Sequence, residues 1–140
     1  MNLKTQLKEF EGCRLNGYLD TLGIVTIGYG HVDPSITLDT EWTQEQAEAQ
    51  LDADIAEKTA QARKAIPWLD KLNEPRQAVL IGMCFQLGLA GLLGFNRTLG
   101  SVRDERWDDA ANGMLMSKWC KQTPQRCRRM AAQMATGEWQ

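Results

Sequence analysis

Glu11-Gly-Cys-Arg-Leu-Asn-Gly-Tyr-Leu-Asp20-Thr-Leu-Gly-Ile-Val-Thr26-Ile-Gly-Tyr-Gly-His31 is the stretch around which the rest of the chain arranges itself. Two carboxylates, the Thr26 hydroxyl and the only histidine stand together in it, separated by glycines and short β-prone runs. Tyr18-Leu19-Asp20 and Ile24-Val25-Thr26-Ile27 have the composition of two short strands, with Gly23 in the turn between them. Gly28 and Gly30 flank Tyr29, where the backbone can bend sharply or a ligand come close. No helix follows, so this G-x-G does not read as a phosphate cradle.

Upstream, Leu3, Leu7 and Phe10 fall on one helical face that Gly12 ends, which puts Glu11 in the last helical turn. The negative end of a helix dipole favours a neutral carboxyl there, as a general acid requires. Downstream, Asp33-Pro34-Ser35 is a turn, and Thr43-Gln-Glu-Gln46 is a capping box with Trp42 as its staple. The helix that follows runs to about Ala65 and is stopped by Pro67, roughly 33 Å at 1.5 Å per residue. It reads as a strut between a small lobe and a larger one. Around Pro75 a core helix of about 10 to 13 residues begins, with Ala78–Leu87 apolar nearly all round and Gln86 its polar exception. Gly88, Gly91 and Gly94 break the chain, and short helices follow around 96–103, 105–113 and 115–121. Thr123-Pro124 opens a last helix that ends near 135, before Gly137. The pattern predicts a mostly α, α+β fold. It is one domain, 1–140, with a small β-hairpin lobe at about 13–60 and a helical lobe at about 1–12 and 61–140.

Composition fits this reading. At 140 residues, 43% apolar and 24% charged, the chain is an ordinary globular protein with room for a core. Its net charge of −2 is uneven: residues 1–32 sum to zero, 33–74 to −6 and 75–140 to +4. The basic part suits an anionic polymer such as a cell wall, or is a solvated helix surface. A nucleic-acid role for Arg126, Arg128 and Arg129 has no stacking or groove-reading motif behind it. No uninterrupted run of 18 apolar residues spans a membrane. Met1–Glu9 lacks the apolar stretch of a signal peptide, so a cytoplasmic location is expected. Cys13, Cys84, Cys120 and Cys127 form no CxxC, and with one histidine a zinc site is not expected. The cysteines are expected to be reduced and free, with Cys84 in the core.

Paired carboxylates are the usual apparatus for cleaving a glycosidic bond, one protonated and giving its proton to the leaving oxygen, the other ionised. Glu11 at a helix end and Asp20 on a polar hairpin fit the acid and the base, with Thr26 placed to hold water. Spacing alone does not decide, because carboxylates nine residues apart are common and a lone histidine is more often structural than catalytic.

The motif Glu11…Tyr18-x-Asp20-Thr21-x-Gly23…Thr26-Ile27-Gly28-x-Gly30-His31 resembles the active-site signature of the phage T4-type lysozymes, a glycoside hydrolase family of endolysins. Further matches are Met83-x-Phe85-Gln86-x-Gly88, Gly94-Phe95, Arg106-Trp107-Asp108-x-Ala110-Ala111, Ser117-x-Trp119-x-x-Gln122-Thr123-Pro124-x-Arg126-x-x-Arg129 and Thr136-Gly137-x-Trp139. The resemblance implies a lysozyme-like fold and a muramidase acting on bacterial peptidoglycan. Glu11 is then the acid, and Asp20 with Thr26 positions the water for inversion, which fits carboxyls about 6.5–9.5 Å apart. It implies that Arg126 pairs with the glutamate and that Gln86 joins that network. His31 becomes a structural residue paired with Asp54, and Val32, Phe85 and Thr98 face the sugar. It implies no cofactor or metal, a monomer, and no stable membrane anchor. The enzyme would wait in a host cytoplasm and act on the wall or periplasm after holin-mediated release.

The chain departs from the family pattern in places. The segment from His31 to Thr43 is shorter than in long members, and Asn112-Gly113 stands one place off a substrate asparagine. Val32 replaces a leucine, and Thr98 replaces a serine while keeping a hydroxyl. Cys13 lies near Glu11 without the membrane segment of redox-controlled members, so thiol regulation is not expected. Two rival readings stay open: a catalytically silent wall-binding or baseplate module, and a lytic transglycosylase.

Overall fold

The helix expected before the reactive stretch is α1, Leu3–Glu11, in the computed structural model, which describes residues 1–140. It buries Gln6 and Leu7, and it ends where Gly12 turns left-handed (φ +63) and returns its N–H to the Lys8 carbonyl at 3.0 Å. β1 (Arg14–Leu19) and β2 (Val25–Gly28) form an antiparallel hairpin with Tyr18 opposite Thr26 and Leu19 opposite Val25. The register is irregular between Arg14 and Tyr18. On its other edge β1 meets residues 40–42: Gly17 N–H donates to Thr40 O at 2.9 Å and Trp42 N–H to Leu15 O at 2.7 Å. α2, Gln44–Ala65, starts at a reciprocal capping box, with Gln46 N–H on Thr43 Oγ1 (3.1 Å) and Thr43 N–H on Gln46 Oε1 (2.8 Å).

The chain's internal contacts divide it into two compact units, essentially Leu3–Glu57 and Lys58–Gln140. In the first, Leu7, Ile27, Tyr29, Ile36, Ala47 and Leu51 are the buried apolar residues. Fully burying such a leucine or isoleucine is worth roughly 1.5–3 kcal/mol. α1 is grouped with the hairpin in this unit, and its lysines reach α2: Lys4 Nζ lies 3.2 Å from Glu48 and 2.8 Å from Asp52, and Lys8 Nζ 2.5 Å from Glu48.

The second unit is helical: α3 (Glu74–Leu93), α4 (Asn96–Arg103), α5 (Trp107–Leu115), α6 (Lys118–Gln122) and α7 (Pro124–Thr136), after a short 3₁₀ turn at Leu69–Lys71. With seven helices and one two-stranded sheet, the fold is the mostly helical α+β arrangement that the sequence predicts. The core helix is longer than the 10 to 13 residues expected. Asn73 caps α3 by accepting from Arg76 N–H at 3.1 Å, and the helix continues past Gly88 to 20 residues. By length and apolarity it is one that could cross a bilayer. Yet Ala78–Cys84 is buried within the unit, and Gly88 breaks the helical path with φ 76 and ψ 167, so α3 is a broken core helix.

The cysteine expectation is corrected here. Cys120 and Cys127 form a disulfide, their Cα atoms 5.0 Å apart, while Cys13 is free and exposed and Cys84 free and buried. Absence of CxxC spacing said nothing about pairing across a helix break. The Thr123-Pro124 junction folds α7 back on α6, which brings two cysteines seven residues apart within bridging range.

Candidate active site

Ile24 organises the hairpin side of the site. Its N–H donates to Asp20 Oδ1 at 2.8 Å, as does that of Leu22, and its carbonyl accepts from Thr26 Oγ1 at 3.0 Å and from Asp20 N–H at 2.9 Å. One backbone unit therefore fixes both the Asp20 carboxylate and the Thr26 hydroxyl. Asp20 is half-buried, and Thr26 is buried in β2. Glu11 is the last residue of α1, half-buried, and its carboxyl lies against Gly30.

Tyr18 links the two carboxylates electrostatically. Burial raises the pKa of its phenol above 10.0, the Arg14 guanidinium opposes this, and the charges of Glu11 and Asp20 both add to it. Arg14 also stacks on the Tyr18 ring, 4.5 Å from its centroid. From sequence Tyr18 is a strand and motif residue with no role of its own, and Arg14 has none. Nothing local marks either residue, because their position depends on the hairpin register.

His31 is held from both sides. Nδ1 lies 2.8 Å from Asp54 Oδ2 and Nε2 2.7 Å from Asp33 Oδ2, while Gln50 Nε2 donates to the other Asp54 oxygen at 2.9 Å. Burial pushes the His31 pKa down, but the hydrogen bonds to Asp33 and Asp54 outweigh it and hold it above 6.5. Hydrogen bonds from Ser35 and then from His31 lower Asp33 to about 2. Asp33, read from sequence as a turn residue, is thus a second anchor. Val32 between them is exposed.

The other candidates lie in the second unit. Phe85 and Gln86 are half-buried on α3, just before the Gly88 break. Gln86 Oε1 accepts from Trp119 Nε1 at 2.9 Å and its Nε2 donates to Thr123 Oγ1 at 3.4 Å, which ties α3 to the junction of α6 and α7. Arg126 is half-buried in α7, next to the disulfide at Cys127. Thr98 is buried in α4, its Oγ1 against the backbone of Gly113. Nowhere do three His, Cys, Asp or Glu side chains cluster as metal ligands would.

A half-buried carboxyl at a helix end, with a second carboxylate and a hydroxyl fixed by one backbone unit in the same compact unit, supplies the group types that acid–base hydrolysis uses. The pattern of the phage lysozymes matches residues 8–133, a span that holds Glu11, Asp20, Thr26 and Arg126. The chain belongs to the phage lysozyme family. It is thus a lysozyme-type peptidoglycan hydrolase. It is similar to probable T4-type lysozyme 1 of Dictyostelium discoideum, 29% identical across 97% of this chain and 95% of that protein. It is also similar to the pre-baseplate central spike protein Gp5 of Enterobacteria phage T4, 29% identical across 98% of this chain but only 28% of that protein. An endolysin of Lactococcus phage c2 is 37% identical over 59% of this chain and 36% of its own length. A phage lysozyme chain of this length therefore corresponds to nearly all of one relative and to a part of others.

Proposed function

We propose that this phage lysozyme hydrolyses the β-1,4 bond between N-acetylmuramic acid and N-acetylglucosamine by inversion. Glu11 gives its proton to the glycosidic oxygen, and a water held by Asp20 and Thr26 attacks the anomeric carbon from the opposite face. The water's proton passes to Asp20, and the cleaved sugar leaves as an alcohol. The observation that carries the reading is the shared anchoring of Asp20 and Thr26 on Ile24, which aligns a base and a water-holding hydroxyl on one rigid turn. Preorganisation of this kind is worth orders of magnitude in rate. Val32, Phe85 and Thr98 are the proposed sugar contacts. Arg126 and Gln86 are proposed to tune the acid, with His31 and Asp54 as scaffold.

The biological role proposed is that of a monomeric endolysin, held in the host cytoplasm and reaching the wall after a holin opens the membrane. Similarity to phage endolysins supports it. The decisive experiment is product analysis on purified peptidoglycan. New reducing ends of inverted configuration are expected, and Glu11→Gln should cut their release by about 10³-fold at unchanged melting temperature. Undiminished activity would remove Glu11 as the acid. 1,6-Anhydro ends would select a transglycosylase, and wall binding without cleavage a silent module.

A further inference from the structure

Gly30 has φ +76, in the left-handed region that a glycine enters without steric cost. Backbone conformation explains why a glycine is tolerated there, but not what faces it. A Cβ carbon on Gly30 would lie 2.7 Å from Glu11 Oε2, 3.3 Å from Glu11 Cδ and 3.7 Å from Glu11 Cγ. All three nearest atoms belong to one side chain, the acid. Gly28 has a similar φ of +64, yet a Cβ there would meet the Trp42 ring at 2.9 Å and Ala47 at 3.7 Å.

Neither partner in the Gly30–Glu11 contact is free to give by moving its backbone. The turn carrying Gly30 is closed by two bonds, Ile27 N–H on His31 O at 3.0 Å and His31 N–H on Ile27 O at 2.8 Å. Tyr29, between the two glycines, is buried and tied by its hydroxyl to Glu48 Oε1 at 3.0 Å. On the other side, Glu11 is held by the last turn of α1, which Gly12 seals. Only the Glu11 side chain can yield.

We propose that Gly30 is a positioning residue for the acid. Its bare Cα is the seat of the Glu11 carboxyl and sets how far the proton donor reaches toward the glycosidic oxygen. This rests on Glu11 being the acid. A methyl group at Gly30 would push the carboxyl off its seat by roughly an ångström, a displacement of the size that costs on the order of 10²-fold in rate.

The test is a matched pair, Gly30→Ala and Gly28→Ala. Both place a Cβ at positive φ, so backbone strain is common to them. Gly30→Ala is expected to lose about 100-fold in kcat with KM nearly unchanged, and to shift the alkaline limb of the kcat–pH profile that reports the acid. Gly28→Ala is expected to lower the melting temperature while keeping kcat of the folded fraction within about threefold. Shortening the acid makes room for the methyl, so Glu11→Asp should cost less in the Gly30→Ala background than in the native one. If Gly30→Ala fails to fold, Gly30→Ala/Glu11→Ala should recover stability by removing the obstructed side chain, whereas Gly28→Ala/Glu11→Ala should not. Native kcat and pH profile in Gly30→Ala overturn the proposal, as does a double variant that recovers nothing. Activity surviving in Glu11→Gln overturns the acid itself. Loss of activity in Glu11→Gln together with a fully active Gly30→Ala overturns only the seat.

Discussion

The two units of the chain are stabilised by different means. The first, Leu3–Glu57, buries few large apolar side chains and relies on directed polar contacts: Lys4, Lys8, Tyr29 and Gln44 converging on Glu48, and Asp33 and Asp54 gripping His31. The second, Lys58–Gln140, is centred on Ala78–Cys84 and on Leu92, Val102, Met114, Met130 and Met134, with a disulfide across its last helix junction. Even a half-buried charge there serves packing, as where Arg76 stacks 3.7 Å over Trp107 while donating to the carbonyls of Met134 and Ala135. Directed contacts fix angles, and apolar packing supplies free energy. The carboxyls proposed to do the chemistry sit in the unit where orientation is the better-controlled quantity.

The comparison breaks most visibly through the helical core. Leu80 is fully buried in α3, so Leu80→Ala should cost about 3 kcal/mol of stability through lost burial and the cavity left behind. Calorimetry should show this loss while kcat of the folded fraction stays near native. A large kcat loss would mean that the units are not separable in function.

Breaking the disulfide is the next largest effect. The bridge closes a loop of seven residues' separation, and in the chain-entropy account such a loop is worth about 2 kcal/mol. Reductant should lower the melting temperature accordingly, and Cys120→Ser/Cys127→Ser should abolish the response to it. Gln86 and Thr123 hold the same junction by hydrogen bonds, so the junction should remain folded when the bridge is open.

The smallest effects are titrations, and they belong to the first unit. His31 has its pKa raised in the folded state, so its contribution is fully present below pH 6.5 and is lost as pH rises through the folded value. Glu48 is lowered from 4.5 to about 2, chiefly by Lys8, with Tyr29, Lys4 and Gln44 adding to it. Its contribution is present above pH 4.5 and lost as pH falls toward about 2. Stability from these groups should therefore peak between about pH 4.5 and 6.5. Chemical denaturation across pH should show His31→Asn flattening the alkaline side and Glu48→Gln the acid side. An unchanged alkaline slope in His31→Asn would mean that the two carboxylates do not grip a charged imidazole.

Much was legible because its causes are local in the chain. The capping box at Thr43, the glycine stop at Gly12, the Thr123-Pro124 start of α7 and the turn at Gly23 act over three or four residues, so a linear reading recovers them. Those signals yielded the helix order, the hairpin and the placing of Glu11 at a helix end. The sequence missed the pairing of residues 40–42 with β1, the passage of α3 beyond Gly88, Asp33 as an anchor of His31, and the bond between Cys120 and Cys127. The first depends on where a distant segment lands, and the others on backbone bends that no short motif marks. The same division runs through the stretch from Glu11 to His31. Its residue types and glycine spacing determine by themselves that a carboxyl pair is carried on a helix end and a hairpin. Only the tertiary structure decides that Gly30 rests against Glu11 and that Ile24 holds Asp20 and Thr26 together. Residue types set what a site can do. The closing of the chain on itself sets which atoms meet, because a contact across 19 residues costs loop entropy that only the folded core repays.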